Sequence, residues 1–231
     1  MLILTANPKL SNDWVQIGKK IVDGMDKKYT ISVSINDCGN IIAIGAIKNF
    51  STDTGHVRMY KYNNLSDDWI QIGNTVDGES SGDKSGISVS LNSSGEIVAI
   101  GAYLNDPNTQ KADAGHVRMY KYNQKTKKWI QLGKDVDGES AGDLSGSVSL
   151  NSRGNIVAIG APYNDGDDRG HVRVHKYNLI SNQWEQIGQD IDGEAQFYRS
   201  GFAVNINGSG DTVIIGAPLN KEGRFRVYKY M

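Results

Sequence analysis

Trp69-Ile70-Gln71-Ile72-Gly73 opens a stretch that continues through Gly86-Ile87-Ser88-Val89-Ser90-Leu91-Asn92, Ile97-Val98-Ala99-Ile100-Gly101-Ala102 and His116-Val117-Arg118-Met119-Tyr120-Lys121-Tyr122. The second run alternates apolar with small polar residues, as a half-buried strand does. The third is apolar almost throughout and reads as buried on both faces. The fourth returns to period-2 alternation. The whole pattern recurs: Trp14-Val15-Gln16-Ile17-Gly18, Trp129-Ile130-Gln131-Leu132-Gly133 and Trp184-Glu185-Gln186-Ile187-Gly188 repeat its first run, with the tryptophans 55, 60 and 55 residues apart. A period of that length filled with strand-like sequence predicts a propeller or an array built from one supersecondary unit. No sustained 3.6-residue apolar stripe occurs, so helix content is expected near zero.

Turn chemistry separates the runs. Asp23-Gly24, Asp77-Gly78, Asp137-Gly138 and Asp192-Gly193 occupy one place in the repeat and read as turns, because an Asp-Gly pair reaches positive φ at low cost. Asn36-Asp37-Cys38-Gly39, Asn92-Ser93-Ser94-Gly95, Asn151-Ser152-Arg153-Gly154 and Asn207-Gly208-Ser209-Gly210 predict tight hairpins between the second and third runs. The loops between the third and fourth runs vary most, from Tyr103–Ala114 to Leu219–Glu222. Variable loops on a constant frame are where binding specificity resides.

Composition sets wide bounds. The 231 residues suffice for a single repeat domain spanning 1–231, with units near 14–63, 69–123, 129–178 and 184–231. A formal net charge of −1 gives no field that attracts nucleic acid. One cysteine, Cys38, cannot form an internal disulfide. No run approaches the roughly 18 apolar residues of a membrane span, so no membrane insertion is expected. Met1–Pro8 lacks the basic segment of a signal peptide, so the compartment stays unassigned, with the cytoplasm as default.

Gly201-Phe202-Ala203-Val204, Ile214-Ile215-Gly216-Ala217-Pro218 and Gly223-Arg224-Phe225-Arg226-Val227-Tyr228 resemble the FG-GAP repeat of integrin α-chain propellers. Gly160-Ala161-Pro162 with Gly170-His171-Val172-Arg173-Val174 is a second match, whereas Gly45-Ala46-Ile47 and Gly101-Ala102-Tyr103 lack the proline. Four strands in each of four units predict an all-β, propeller-like fold of four blades of four antiparallel strands, where integrin propellers have seven blades, and the resemblance implies the Ser-Val-Ser strand innermost and the Trp strand outermost. Residues 14–18 would then pair with residues 224–230 and close the ring through the two termini. An open array and a ring completed by a second chain are the alternatives.

Candidate functional residues are few. His56, His116 and His171 share one repeat position, so the repeat alone accounts for them, and His175 replaces a tyrosine. No metal-ligand spacing, nucleophile elbow or phosphate-binding loop occurs, and the protein is expected not to be an enzyme. Integrin blades of this type carry acidic calcium loops. The nearest counterparts here are Asn164-Asp165-Gly166-Asp167-Asp168, Asp77-Gly78-Glu79 with Asp83, and Asp137-Gly138-Glu139 with Asp143; none follows an Asp-x-Asp-x-Asp-Gly pattern, and solvated turns are the simpler reading. Arg58, Tyr60 and Tyr62 share a strand face, as do Arg118, Tyr120 and Tyr122; packing of each arginine against a carboxylate between blades explains them, as blade packing explains the tryptophans. Departures from the repeat carry more information. The fourth unit has Gln196-Phe197-Tyr198-Arg199 where the second has Ser81-Gly82-Asp83-Lys84. Exposed aromatics beside an arginine are typical of protein-contact hot spots, so Phe197, Tyr198 and Arg199 are the candidate partner-binding residues. The function expected is a scaffold for a protein partner, the alternative a multivalent glycan-binding module assisted by calcium.

Overall fold

The computed structural model describes residues 13–21, 30–48, 53–108, 110–164, 167–219 and 223–231. It is all-β and propeller-like, with four blades. The first blade contains β1 (Thr30–Ile35), β2 (Ile41–Ala46), β3 (His56–Asn63), β4 (Asp68–Gln71) and the two-residue β5 (Val76–Asp77). The second contains β6 (Ser88–Leu91), β7 (Ile97–Ala102), β8 (His116–Asn123), β9 (Lys128–Gln131) and β10 (Val136–Asp137). The third contains β11 (Ser147–Leu150), β12 (Ile156–Ala161), β13 (His171–Asn178), β14 (Gln183–Gln186) and β15 (Ile191–Asp192). The fourth holds β16 (Ala203–Ile206), β17 (Thr212–Ala217) and β18 (Arg224–Lys229). Within each blade the strands pair antiparallel in chain order, and each two-residue strand pairs with the start of the third strand. The inner strands β1, β6, β11 and β16 stand side by side in that order.

The expected hairpins form, and the asparagines hold them. The Asn36 side-chain oxygen accepts from the backbone N–H of Asn40 and Ile41 at 3.0 and 2.8 Å, and Asn151 does the same to Asn155 and Ile156. The Asp-Gly pairs behave otherwise. Asp77, Asp137 and Asp192 end the two-residue strands, and Gly78, Gly138 and Gly193 have ordinary negative-side backbones. Glycine is required there because a Cβ on Gly78 would overlap the Thr54 carbonyl. Asp23-Gly24 lies outside the described residues.

The core lies in the seams between blades. In the first seam Ala43, Val57, Met59 and Val76 meet Val89, Leu91, Val98, Ile100, Tyr120 and Trp129 of the next blade. Gly45, Gly101 and Gly160 have no side chain because the following blade's backbone, at Gly86, Gly146 and Gly201, occupies the space. The serines of the Ser-Val-Ser strands cross the seam as well: the Leu91, Leu150 and Ile206 N–H groups donate to Ser34, Ser90 and Ser149 Oγ at 2.9, 2.9 and 3.1 Å. Those N–H groups face away from their own blade's second strand, and a buried donor without a partner is costly.

The expected closure is corrected. Among the described residues, 14–18 form no strand, and β18 pairs with β17 and with no outer strand. Residues 14–18 lie against the first blade instead: Trp69 Nε1 donates to the Ile17 carbonyl at 3.2 Å, and Gly18 N donates to Asp67 at 3.1 Å. The array is therefore open between its first and fourth blades, each of which presents apolar side chains to solvent.

Candidate interaction face

The loops that precede the inner strands share one conformation and differ in side chains. In the second blade the loop turns at Gly82 with φ 99°, and the buried Asp83 carboxylate accepts from Ser80 N at 2.8 Å and Asn105 Nδ2 at 3.1 Å. The third blade repeats this with Gly142 at φ 80° and Asp143, which accepts from Glu139 N, Ser140 N and Asn164 Nδ2. These carboxylates are committed to loop donors, which is the role the structure gives Asp83 and Asp143 among the acidic loop residues. Of the third acidic segment, Asp165 and Gly166 lie outside the described residues, while Asp167 and Asp168 face Arg169 and Arg199 at 3.1 Å.

The fourth blade breaks the scheme. Phe197 stands where glycine stands twice, with φ 63° and 62% exposure. Tyr198 replaces the anchoring aspartate. A bulky side chain in left-handed backbone costs on the order of 1–3 kcal/mol. The strain is local, because a Cβ at Gly82 or Gly142 meets nothing within 4 Å, so the Phe197 ring extends into open space. Arg199 keeps the place of Lys84: Lys84 bridges Asp53 at 3.0 Å and Arg199 bridges Asp168 at 3.1 Å. Arg199 also lies over the Tyr163 ring, 4.1 Å from its centroid. Phe197 and Arg199 receive their fold from the third blade, donating N–H to the carbonyls of Asp167 and Asp168 at 2.9 Å each.

Tyr163 connects this loop to a cleft of about 460 Å³, lined by Ile87, Tyr103, Leu144, Pro162, Tyr163 and Phe202. Phe202 is 57% exposed. Of the three sequence candidates, Arg199, which Phe197 and Tyr198 precede in the same loop, thus touches the wall of an aromatic cleft that repeat reading missed. Its signal was scattered over three units as Tyr103, Pro162-Tyr163 and Phe202, each the residue next to a repeated glycine motif.

The histidines form a second repeated constellation. His116 Nδ1 lies 3.5 Å from Asp135 and 3.9 Å from Glu79, and His171 Nδ1 lies 3.8 Å from both Asp190 and Glu139. In each set one His and two carboxylate atoms lie within 4.8 Å of one another, a spacing that a divalent ion could span. Each set also contains a guanidinium: Arg118 is 3.3 Å from Glu79 and Arg173 is 3.5 Å from Glu139, and both donate to a carbonyl of the preceding blade, at Asp77 and Asp137. The arginine already supplies the positive charge. Burial first, then Arg118, pushes the His116 pKa down to about 3, so its contact with Asp135 is made by a neutral ring. Burial raises Glu79, with Arg118 working against that shift. At the third seam Arg224 takes the histidine's place and bridges Glu194 at 3.1 Å. Trp129 and Trp184 are 4% and 8% exposed, with Nε1 donating to the Ile72 and Leu132 carbonyls, so their ring faces are committed to the seams.

No protein-family model and no curated protein matches the chain. Solved structures do. One, described as a putative 6-phosphogluconolactonase from Bacteroides fragilis, is 13% identical with a TM-score of 0.48, over 71% of this chain and 39% of that one. Another, a functionally unknown protein from Desulfotomaculum acetoxidans, is 11% identical with a TM-score of 0.52, over 88% of this chain and 56% of the other. The chain thus spans about two fifths and just over half of these structures' lengths. At such identities the likeness concerns the fold. With a neighbour of the first description, the expectation that the protein is no enzyme does not stand and is withdrawn.

Proposed function

We propose that the chain is a binding scaffold of FG-GAP-like blades whose partner is a protein, held by Phe197, Tyr198 and Arg199 and by the aromatic cleft beside them. The observation that carries this reading is Phe197: a strained backbone bearing a solvent-exposed ring where two sister loops have glycine. Folding alone favours glycine at that place, and strain kept at an exposed aromatic points to use in contact. Tyr163 and Phe202 supply apolar surface of the kind that anchors a partner's side chain, and Arg199, already held over Tyr163, adds a fixed charge at the rim.

The test is to restore the sister loop with Phe197→Gly, Tyr198→Asp and Arg199→Lys together. Peptides enriched from a random library on the natural protein are then titrated against both forms. The variant should fold with stability equal to the natural protein or up to about 1 kcal/mol above it, through relief of the Phe197 backbone. Its affinity for the enriched peptides should fall roughly 30-fold or more, the loss of one hot spot. Equal affinity in a folded variant would remove this face from the function.

A further inference from the structure

The open ends of the array are the two halves of a seam the molecule builds three times over. Val89, Leu91, Val148 and Leu150 on the second and third inner strands are 7–8% exposed, whereas their first-blade counterparts Val33 and Ile35 are 74% and 59% exposed. At the other end Phe225 and Val227 are 75% and 65% exposed, while Val57, Val117, Met59 and Met119 in the same places are fully buried. Each exposed set is what the opposite set covers in the internal seams.

The outer strands repeat the mismatch. A Trp-x-Gln-x-Gly segment has two tasks: its tryptophan enters the seam with the preceding blade, and the carbonyl before its glycine receives the next blade's tryptophan. Residues 14–18 perform only the second, for Trp69; Trp14 itself is wholly exposed. Where Trp129 and Trp184 fill the first two seams, the third has instead an open cleft of about 190 Å³ lined by Ile187, Gly188, Ile206, Val213, Tyr228 and Tyr230. Tyr62, Tyr122 and Tyr177 each tilt against a tryptophan with ring centroids 5.2–5.3 Å apart, and Tyr230, their counterpart, is 59% exposed. Among the described residues β18 has no outer neighbour.

We propose that this cleft and edge receive a second copy of the chain, whose residues 14–18 add to β18 as its outer strand, with the partner's Trp14 in the cleft and its first blade against Phe225 and Val227. Strand addition satisfies the backbone of β18, and the tryptophan donates to the Ile187 carbonyl as its sisters donate to Ile72 and Leu132. The contact is head to tail, and two of them close a ring of eight blades, at the upper end of the roughly four to eight that propellers use. This seam differs from the others in its inner parts: Thr30 stands where Gly86 and Gly201 stand, Gly216 lacks the glycine backbone that covers its counterparts, and Asn205 stands where Ser34, Ser90 and Ser149 accept across the internal seams. Its hold rests on the tryptophan and the apolar faces.

Sedimentation of the full chain over a concentration series should give twice its 25.2 kDa mass, and Trp14→Ala and Phe225→Asp should each return it to the single mass with unchanged circular dichroism. Both side chains are exposed in one copy, so neither change touches the internal core. A Trp14→Cys, Tyr230→Cys, Cys38→Ser chain should oxidise to a two-chain species. A single mass for the natural chain at every concentration, retention of the double mass by both variants, a ladder of larger masses, or an internal bridge within one chain would each overturn the proposal.

Discussion

Gly101 and Gly216 have ordinary φ, so what a side chain there would cost is decided by their neighbours. A Cβ on Gly101 would overlap the Gly146 backbone, whereas one on Gly216 has nothing nearer than Ala203 at 3.6 Å. Gly101→Ala should therefore cost about 1–3 kcal/mol or more. Gly216→Ala should be neutral or stabilise by up to about 1 kcal/mol, the usual gain of alanine over glycine in a strand. Urea unfolding of the two variants in dilute protein, where the chain is a single copy, makes the comparison. His116 and His175 act through pH. Burial holds His116 at about 3 and His175 at about 4, both below the ordinary 6.5, so the fold keeps neutral rings that the unfolded chain protonates. Their stabilisation is complete above pH 6.5 and is lost as pH falls, each proton adding a slope of about 1.4 kcal/mol per pH unit. The window from 6.5 to 5 reads these two histidines ahead of carboxylates of ordinary pKa. His175→Tyr, the residue of sister blades, should reduce that slope by about one proton in denaturant titrations across the window.

At the level of elements, the Trp strand belongs to one blade and serves the seam with the blade before it. Trp129 is 4% exposed, packs with ten other buried side chains of the first seam and donates to Ile72. Trp129→Ala should lower stability by about 3–5 kcal/mol, as large-to-small changes in cores do, whereas Trp14→Ala in a single copy should cost almost nothing. Calorimetry of both variants in dilute protein gives the contrast. The sequence motif is the same at both places, so reading it identifies the strand and its tryptophan but not whether a blade stands ready to receive it. The Asn hairpins were legible because their hydrogen bonds run within a few residues. The Asp-Gly pairs were misread as turns for the opposite reason: Gly78 is required by the Thr54 carbonyl, 24 positions earlier in the chain.

The described blades form an open propeller-like array whose inner strands contact one another in the order β1, β6, β11 and β16, so stability should decline from the middle toward both ends. Hydrogen exchange on dilute protein should show β7 and β12 protected longest, with β1 and β18 exchanging first. Uniform protection across the four blades would contradict the open arrangement. The charge ledger is quiet at this scale, with 25 basic and 26 acidic residues, and recognition falls to local surface. The period, the four strand types, the hairpins and the odd loop at Phe197, Tyr198 and Arg199 were determined by the sequence alone, since alternation, turn residues and breaks in a repeat are properties of neighbours along the chain. Whether the ring closes, which tryptophan finds a socket, and that Tyr103, Tyr163 and Phe202 share a cleft were decided only by tertiary structure. Those facts depend on the rotation from blade to blade, which no single repeat encodes and which accumulates only when the seams pack.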